Sequence, residues 1–189
     1  MIGSFRAATP GQTVGPFFGY ALPYQDGEHL VPQSHPDAVR LTGRVLDGHG
    51  APVPDALLEI WQPDASGEIV QRAGSLHRDG YTFTGWGRAA TDNTGRYSFT
   101  TLAPGRTEAD RPPFIALAVF ARGLLDRLFT RVYLPGYDAE WANDPLLVAL
   151  PDDRRRTLIA EQDGRELRFD VRLQGGRETV FLQYPGQRR

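Results

Sequence analysis

Val39-Arg40-Leu41-Thr42-Gly43-Arg44-Val45-Leu46 alternates apolar and polar residues with period two, and Asp47-Gly48 then turns the chain. That period is the signature of a strand with one buried face and one wet face. The pattern returns at short intervals on either side. Ala56 to Trp61 reads as a second strand, closed by Pro63-Asp64-Ala65-Ser66-Gly67. Arg96-Tyr97-Ser98-Phe99-Thr100 reads as a third, between Thr94-Gly95 and Pro104-Gly105. Pro113 to Ala121 and Leu128 to Leu134 are apolar enough for buried strands. Glu166 to Leu173 alternates cleanly, and Thr179 to Leu182 is a candidate last strand. Helical signals are few. Pro151-Asp152-Asp153 ahead of three Arg predicts one short helix with acids in its first turn, and Ala139 to Asn143 a second. Short strands with turns about every ten residues predict a mainly β chain, folded as a β-sandwich over residues 38–189.

Residues 1–37 are different. They are rich in Pro, Gly and Gln and carry Pro16-Phe17-Phe18-Gly19-Tyr20. The stretch is too irregular for a helix and too aromatic for a free tail. It is expected to form an arm lying either on its own domain or on a partner chain.

Composition narrows the chemistry. The chain has 189 residues and a net charge of −2, and every basic residue is Arg. That length supports one domain with a real core. The charge balance argues against nucleic-acid binding, which needs a clustered positive excess. With no Cys there is no disulfide, thiol nucleophile, Cys-ligated zinc or iron–sulfur cluster. The four histidines, His29, His35, His49 and His77, form no local ligand pair, and the first three read as solvated turn or arm residues. Asp92-Asn93-Thr94-Gly95 reads as a hairpin turn rather than a calcium loop, because no glutamate follows at the required spacing. Gly85-Trp86-Gly87-Arg88 lacks the following helix of a phosphate loop, and Arg154-Arg155-Arg156 reads as a solvated helix face. Met1 to Gly11 has no signal-peptide pattern, and the longest apolar run, Phe114 to Ala121, is too short to span a bilayer. Cytoplasmic residence is the expectation, without membrane attachment.

Leu41-Thr42-Gly43-Arg44-Val45-Leu46-Asp47, Gly50-Ala51-Pro52-Val53-Pro54-Asp55-Ala56 and Glu59-Ile60-Trp61-Gln62 together resemble an intradiol ring-cleavage dioxygenase. Thr91 to Gly105 continues the likeness, which runs from about Gly11 to Leu182. The resemblance implies a prealbumin-like sandwich and a ferric centre held by two Tyr and two His, at which a catechol ring is cleaved. The matching positions carry Ile69, Thr107, Phe114 and Ala116, so all four ligands are missing. Arg111 keeps a family arginine and is expected to be a relic or a packing residue.

Within the family, the resemblance is to the silent α chain of a two-chain enzyme, whose paralogous β subunit keeps the ligands. It implies that Fe(III) is bound by the partner and that no catalytic residue lies in this chain. Protocatechuate and O2 would meet at the α/β interface, in a higher-order α/β oligomer. It also implies that Thr13, Gly15, Pro16 and Phe17 of the arm line the substrate pocket. Gly and Pro suit a rigid, close-approaching backbone, and Phe17 offers a face to an aromatic ring. Arg131 stands where catalytic chains carry Gln, placed to attract the substrate carboxylate or to act as an ordinary surface arginine. Two other readings remain at this stage. One is a free-standing prealbumin-like binding module, and the other a metalloenzyme using His77 with unpaired carboxylates.

Overall fold

β1 (Ala38–Leu46) buries Leu41, Gly43 and Val45 and keeps Arg40 and Arg44 wet, as its alternation predicts. The computed structural model describes residues 15, 17–72, 76 and 78–184. β4 (Arg96–Leu102) pairs antiparallel with β1, placing Phe99 opposite Leu41. On the other edge of β1 run two short parallel strands, β8 (Glu166–Arg168) and β9 (Val171–Arg172). β7 (Glu161–Asp163) closes this five-stranded sheet as a hairpin with β8.

The second sheet is antiparallel throughout. Its order is β3 (Trp86–Ala90), β2 (Leu57–Trp61), β5 (Phe114–Phe120) and β6 (Leu128–Tyr133). Leu41, Val45, Tyr97 and Phe99 from the first sheet share one core with Leu58, Ile60, Ile115, Leu117 and Val119 from the second. Each aliphatic side chain buried there stabilises the fold by about 1.5–3 kcal/mol. The mainly β sandwich is therefore confirmed. Among the described residues no helix is long and apolar enough to cross a membrane.

A smaller core of Tyr133, Leu147, Leu158 and Val180 lies beside the second sheet. It is built by a 3-10 turn at Asp138–Asn143, α2 (Pro145–Ala149) and α3 (Asp152–Arg156). The first and last match the two expected helices. α2 was not expected, although Asp144-Pro145 is a helix-start signal. The Asp144 carboxylate accepts the Leu146 and Leu147 amides at 2.8 and 3.2 Å.

Four expectations change. Glu166 to Leu173 is two strands, because the ladder is interrupted by bonds from outside it. The Tyr97 hydroxyl donates to the Phe169 carbonyl at 2.6 Å, and the Arg44 amide donates to Asp170 Oδ1 at 3.0 Å. Gly43 makes that crossing possible, since a Cβ there would lie 1.8 Å from the Phe169 oxygen. Thr179 to Leu182 is not a strand but a single bridge from Leu182 to Phe129, with Thr179 and Val180 tied by side-chain hydroxyls instead. Trp86 to Arg88 opens β3, whose Gly87 interrupts the strand-like composition. Within the arm, Phe18–Ala21 forms one helical turn, α1, which buries Phe18.

His29 also departs from its expected solvated state. Its Nδ1 lies 3.1 Å from Thr100 Oγ1, and the Leu30 amide donates to the Thr100 carbonyl at 2.8 Å. Leu30 and Val31 are buried. The end of the arm nearest β1 thus packs on the domain that follows it.

Candidate functional site

β5 is flanked by β2 and β6, and its alternation sets Phe114 and Ala116 on the face turned away from the main core. Ala116 stands between Trp61 on β2 and Arg131 on β6, and Phe114 stands opposite Tyr133. The next residue after Trp61 points inward. Gln62 is buried, donates to the Leu102 carbonyl at 2.8 Å and accepts from the Thr101 hydroxyl at 2.8 Å. The pair Trp61-Gln62 therefore has two duties: an aromatic wall outside and a polar tie between the ends of β2 and β4.

Two loops leave these strand ends, one carrying Ile69 and the other Thr107. They adjoin closely. The Gly105 amide donates to the Asp64 carbonyl at 2.8 Å, and Gly67, at φ +92°, sits so near Arg106 that a Cβ would lie 1.9 Å from its carbonyl oxygen. Ile69 is 54% exposed and Thr107 is exposed.

Over Phe114 lies a cation. The Arg131 guanidinium is 4.1 Å from the ring centroid, within cation–π range. Its Nη1 donates to the Tyr133 hydroxyl at 2.9 Å and stands 3.6 Å from Asp144 Oδ2. The Tyr133 hydroxyl in turn donates to Asp144 Oδ2 at 2.9 Å. Burial raises the Tyr133 pKa above its ordinary value, and the neighbouring Arg131 only partly offsets this. Asp144 thus caps α2 with one oxygen and receives Tyr133 with the other. Tyr133 and Asp144 were not anticipated, because their pairing depends on α2 folding back beside β6. Arg111 pairs with Glu108 at 2.7 Å on the surface.

These side chains do not fit ferric iron. Ile69, Phe114 and Ala116 carry no donor atom, and Thr107 offers only a neutral hydroxyl. Among the described residues no three His, Cys, Asp or Glu gather as a metal site. A cavity of about 800 Å³ lies elsewhere. It covers the outer face of β1 and β4, where Arg40, Arg44 and Arg96 are interleaved with Asp92, Glu166 and Asp170.

Of the arm residues, Thr13 and Pro16 lie outside the described residues, as does His77. Gly15 has φ +79°, a conformation that favours glycine, and Phe17 is 74% exposed. Behind them the arm is clamped. Tyr24 stacks on Trp86 with 6.0 Å between ring centroids, and Arg88 Nη1 donates to the Leu22 carbonyl at 2.7 Å.

The two-sheet sandwich and the Trp61-Gln62 tie are the scaffold on which the comparisons bear. A family model described as Dioxygenase matches residues 13–175, and the chain belongs to the intradiol ring-cleavage dioxygenase family. Members of that family are Fe(III)-dependent oxidoreductases. The chain is 42% identical, over 191 residues, to the protocatechuate 3,4-dioxygenase alpha chain of Burkholderia cepacia, covering 92% of this chain and 96% of that one. It is 35% identical over 154 residues to the beta chain from the same organism, covering 74% of this chain and 65% of that one. Among solved structures it resembles the dioxygenase domain of a dioxygenase–carbohydrate-binding protein fusion from Streptomyces sp. SirexAA-E. The TM-score is 0.59 at 26% identity, covering 89% of this chain and 99% of that one.

Proposed function

We propose that this chain is the α subunit of a protocatechuate 3,4-dioxygenase, and that Fe(III) is held by a paralogous β subunit. One observation carries the reading. The chain matches an alpha chain over nearly its full length, while the positions that the resemblance assigns to two Tyr and two His carry Ile69, Thr107, Phe114 and Ala116. The complex would take protocatechuate and O2 to 3-carboxy-cis,cis-muconate, with both oxygen atoms entering the product. It would be a soluble cytoplasmic α/β oligomer.

In this reading the chain supplies walls, electrostatics and assembly surface. Residues 1–37 reach the partner's pocket, and 38–189 form the sandwich that carries them. Thr13, Gly15, Pro16 and Phe17 line the pocket. Arg131 turns its exposed edge toward the pocket mouth, where its charge draws the substrate carboxylate. Supporting this, the guanidinium is pre-oriented by Phe114 and Tyr133 with 30% of its side chain exposed.

Co-expression with the neighbouring reading frame should yield an iron-containing complex that cleaves protocatechuate. A stable colourless monomer, with no iron-ligand-bearing partner co-purifying, would sink the proposal and leave a free-standing binding module. In the complex, Arg131→Ala should raise the KM for protocatechuate; an unchanged KM removes Arg131 from the pocket.

A further inference from the structure

We infer that Arg78 is a positioning residue that sets where the arm delivers Gly15 and Phe17. The inference rests on the reading that the arm lines the partner's pocket.

Arg78 lies on the connection between β2 and β3, far in sequence from the arm it grips. Its Nη2 donates to the Tyr24 hydroxyl at 3.0 Å, the Gly27 carbonyl at 3.1 Å and the Trp86 carbonyl at 2.8 Å. Its Nε donates to the Asp26 carbonyl at 3.3 Å, and its Nη1 to Thr84 Oγ1 at 3.2 Å. One planar fork therefore binds the turn at Tyr24–Gly27 to the start of β3. An ammonium is a single point of charge and cannot reproduce that spread of directions. The turn is built to receive it. Asp26 adopts φ +57°, unusual for a residue with a side chain, and its carbonyl is one of the acceptors. Arg78 is itself held from behind, because the next residue, Asp79, accepts the Tyr81 and Thr82 amides at 2.9 and 2.7 Å.

From this anchor the connection to Phe17 is short and stiff. Arg88 holds the Leu22 carbonyl, and the Ala21 amide donates to the Phe17 carbonyl at 3.0 Å across α1. α1 is one hydrogen-bonded turn only four residues long, so a shift of the anchor is carried toward Phe17 over a short path. A displacement of roughly 1 Å at a substrate wall is enough to cost a large factor in productive binding.

The test uses the co-expressed α/β complex with three variants of this chain: Arg78→Gln, Arg78→Lys and deletion of residues 1–17. Arg78→Gln should raise the KM for protocatechuate roughly tenfold, with kcat, iron content and subunit ratio close to wild type. The Gly27 and Leu30 amides should lose hydrogen-exchange protection in the same variant. Arg78→Lys, which keeps the charge without the fork, should not restore KM. A wild-type KM for Arg78→Gln, alongside a raised KM for the deletion, overturns the role of Arg78 and leaves the arm in the pocket. An unchanged KM for the deletion instead overturns the arm reading on which the inference stands. A fall in kcat, iron and thermal midpoint together, without a separate change in KM, assigns Arg78 a structural role only and also overturns the inference.

Discussion

The Arg131 guanidinium rests on the Phe114 ring at 4.1 Å, on the face of β5 turned away from the main core. Asp144, with its side chain only 3% exposed, lies 3.6 Å from the same guanidinium and receives the Tyr133 hydroxyl. The outer face of β5 is thus covered by a cation of the chain's own, tied to a buried carboxylate. Four consequences can be measured.

Replacing Arg131 with Met leaves the Asp144 carboxylate buried without its nearest cation and strips the charge from the Phe114 face. The expected loss is about 2 kcal/mol of unfolding free energy, read as a lower urea midpoint at unchanged slope. Wild-type stability for this variant would show that Tyr133 and the α2 amides alone satisfy Asp144.

Restoring the imidazoles alone should not restore a metal site. The double variant Phe114→His with Ala116→His still has no phenolate at Ile69 or Thr107, and it sets its imidazoles beneath the Arg131 charge. Metal analysis of that protein should show no stoichiometric iron. Iron at unit stoichiometry would contradict the placement of the missing ligands.

Two phenols should make the protein sensitive to alkali. Burial raises the pKa of both Tyr97 and Tyr133 above the ordinary value of 10.0, so the folded state keeps protons that the unfolded state releases. Their contribution is complete below pH 10 and declines as pH rises above it, since ionisation then favours the unfolded chain. Tyr97→Phe and Tyr133→Phe should each lose about 1 kcal/mol at neutral pH and flatten the decline above pH 10. Parallel stability-against-pH curves for wild type and variants would refute this assignment.

Gly43→Ala tests the crossing of β1 by the segment between β8 and β9. The added methyl meets backbone rather than a movable side chain, at 1.8 Å from the Phe169 oxygen. A loss of at least about 3 kcal/mol is expected, seen as a fall in thermal midpoint or in soluble yield. A neutral result would mean that the Phe169–Asp170 break can shift freely.

The strands were readable wherever one face is buried and the other wet, as at Val39 to Leu46 and Arg96 to Thr100. They were misread where a ladder is replaced by side chains. Phe169 and Asp170 continue the alternation of Glu166 to Leu173 and yet are held by Tyr97 and Arg44. β3 escaped notice because glycines at 85 and 87 look like a loop when its partner β2 is not in view. In the candidate site, the residue types at Ile69, Thr107, Phe114 and Ala116 were legible one residue at a time. Arg78, Tyr133 and Asp144 were not, because each acts through a partner distant in the chain or through a helix whose capping signal was passed over.

The order of residues alone determined the β-sandwich, the absence of Cys and the aromatic character of the arm. Those properties follow from local periodicity and from side-chain chemistry, which need no neighbours. Only the tertiary structure decided that Arg131 covers Phe114, that Asp144 is shared between α2 and Tyr133, and that Arg78 holds the arm. Each depends on groups from separate segments meeting within hydrogen-bond or cation–π reach, a condition that packing sets and spacing along the chain does not.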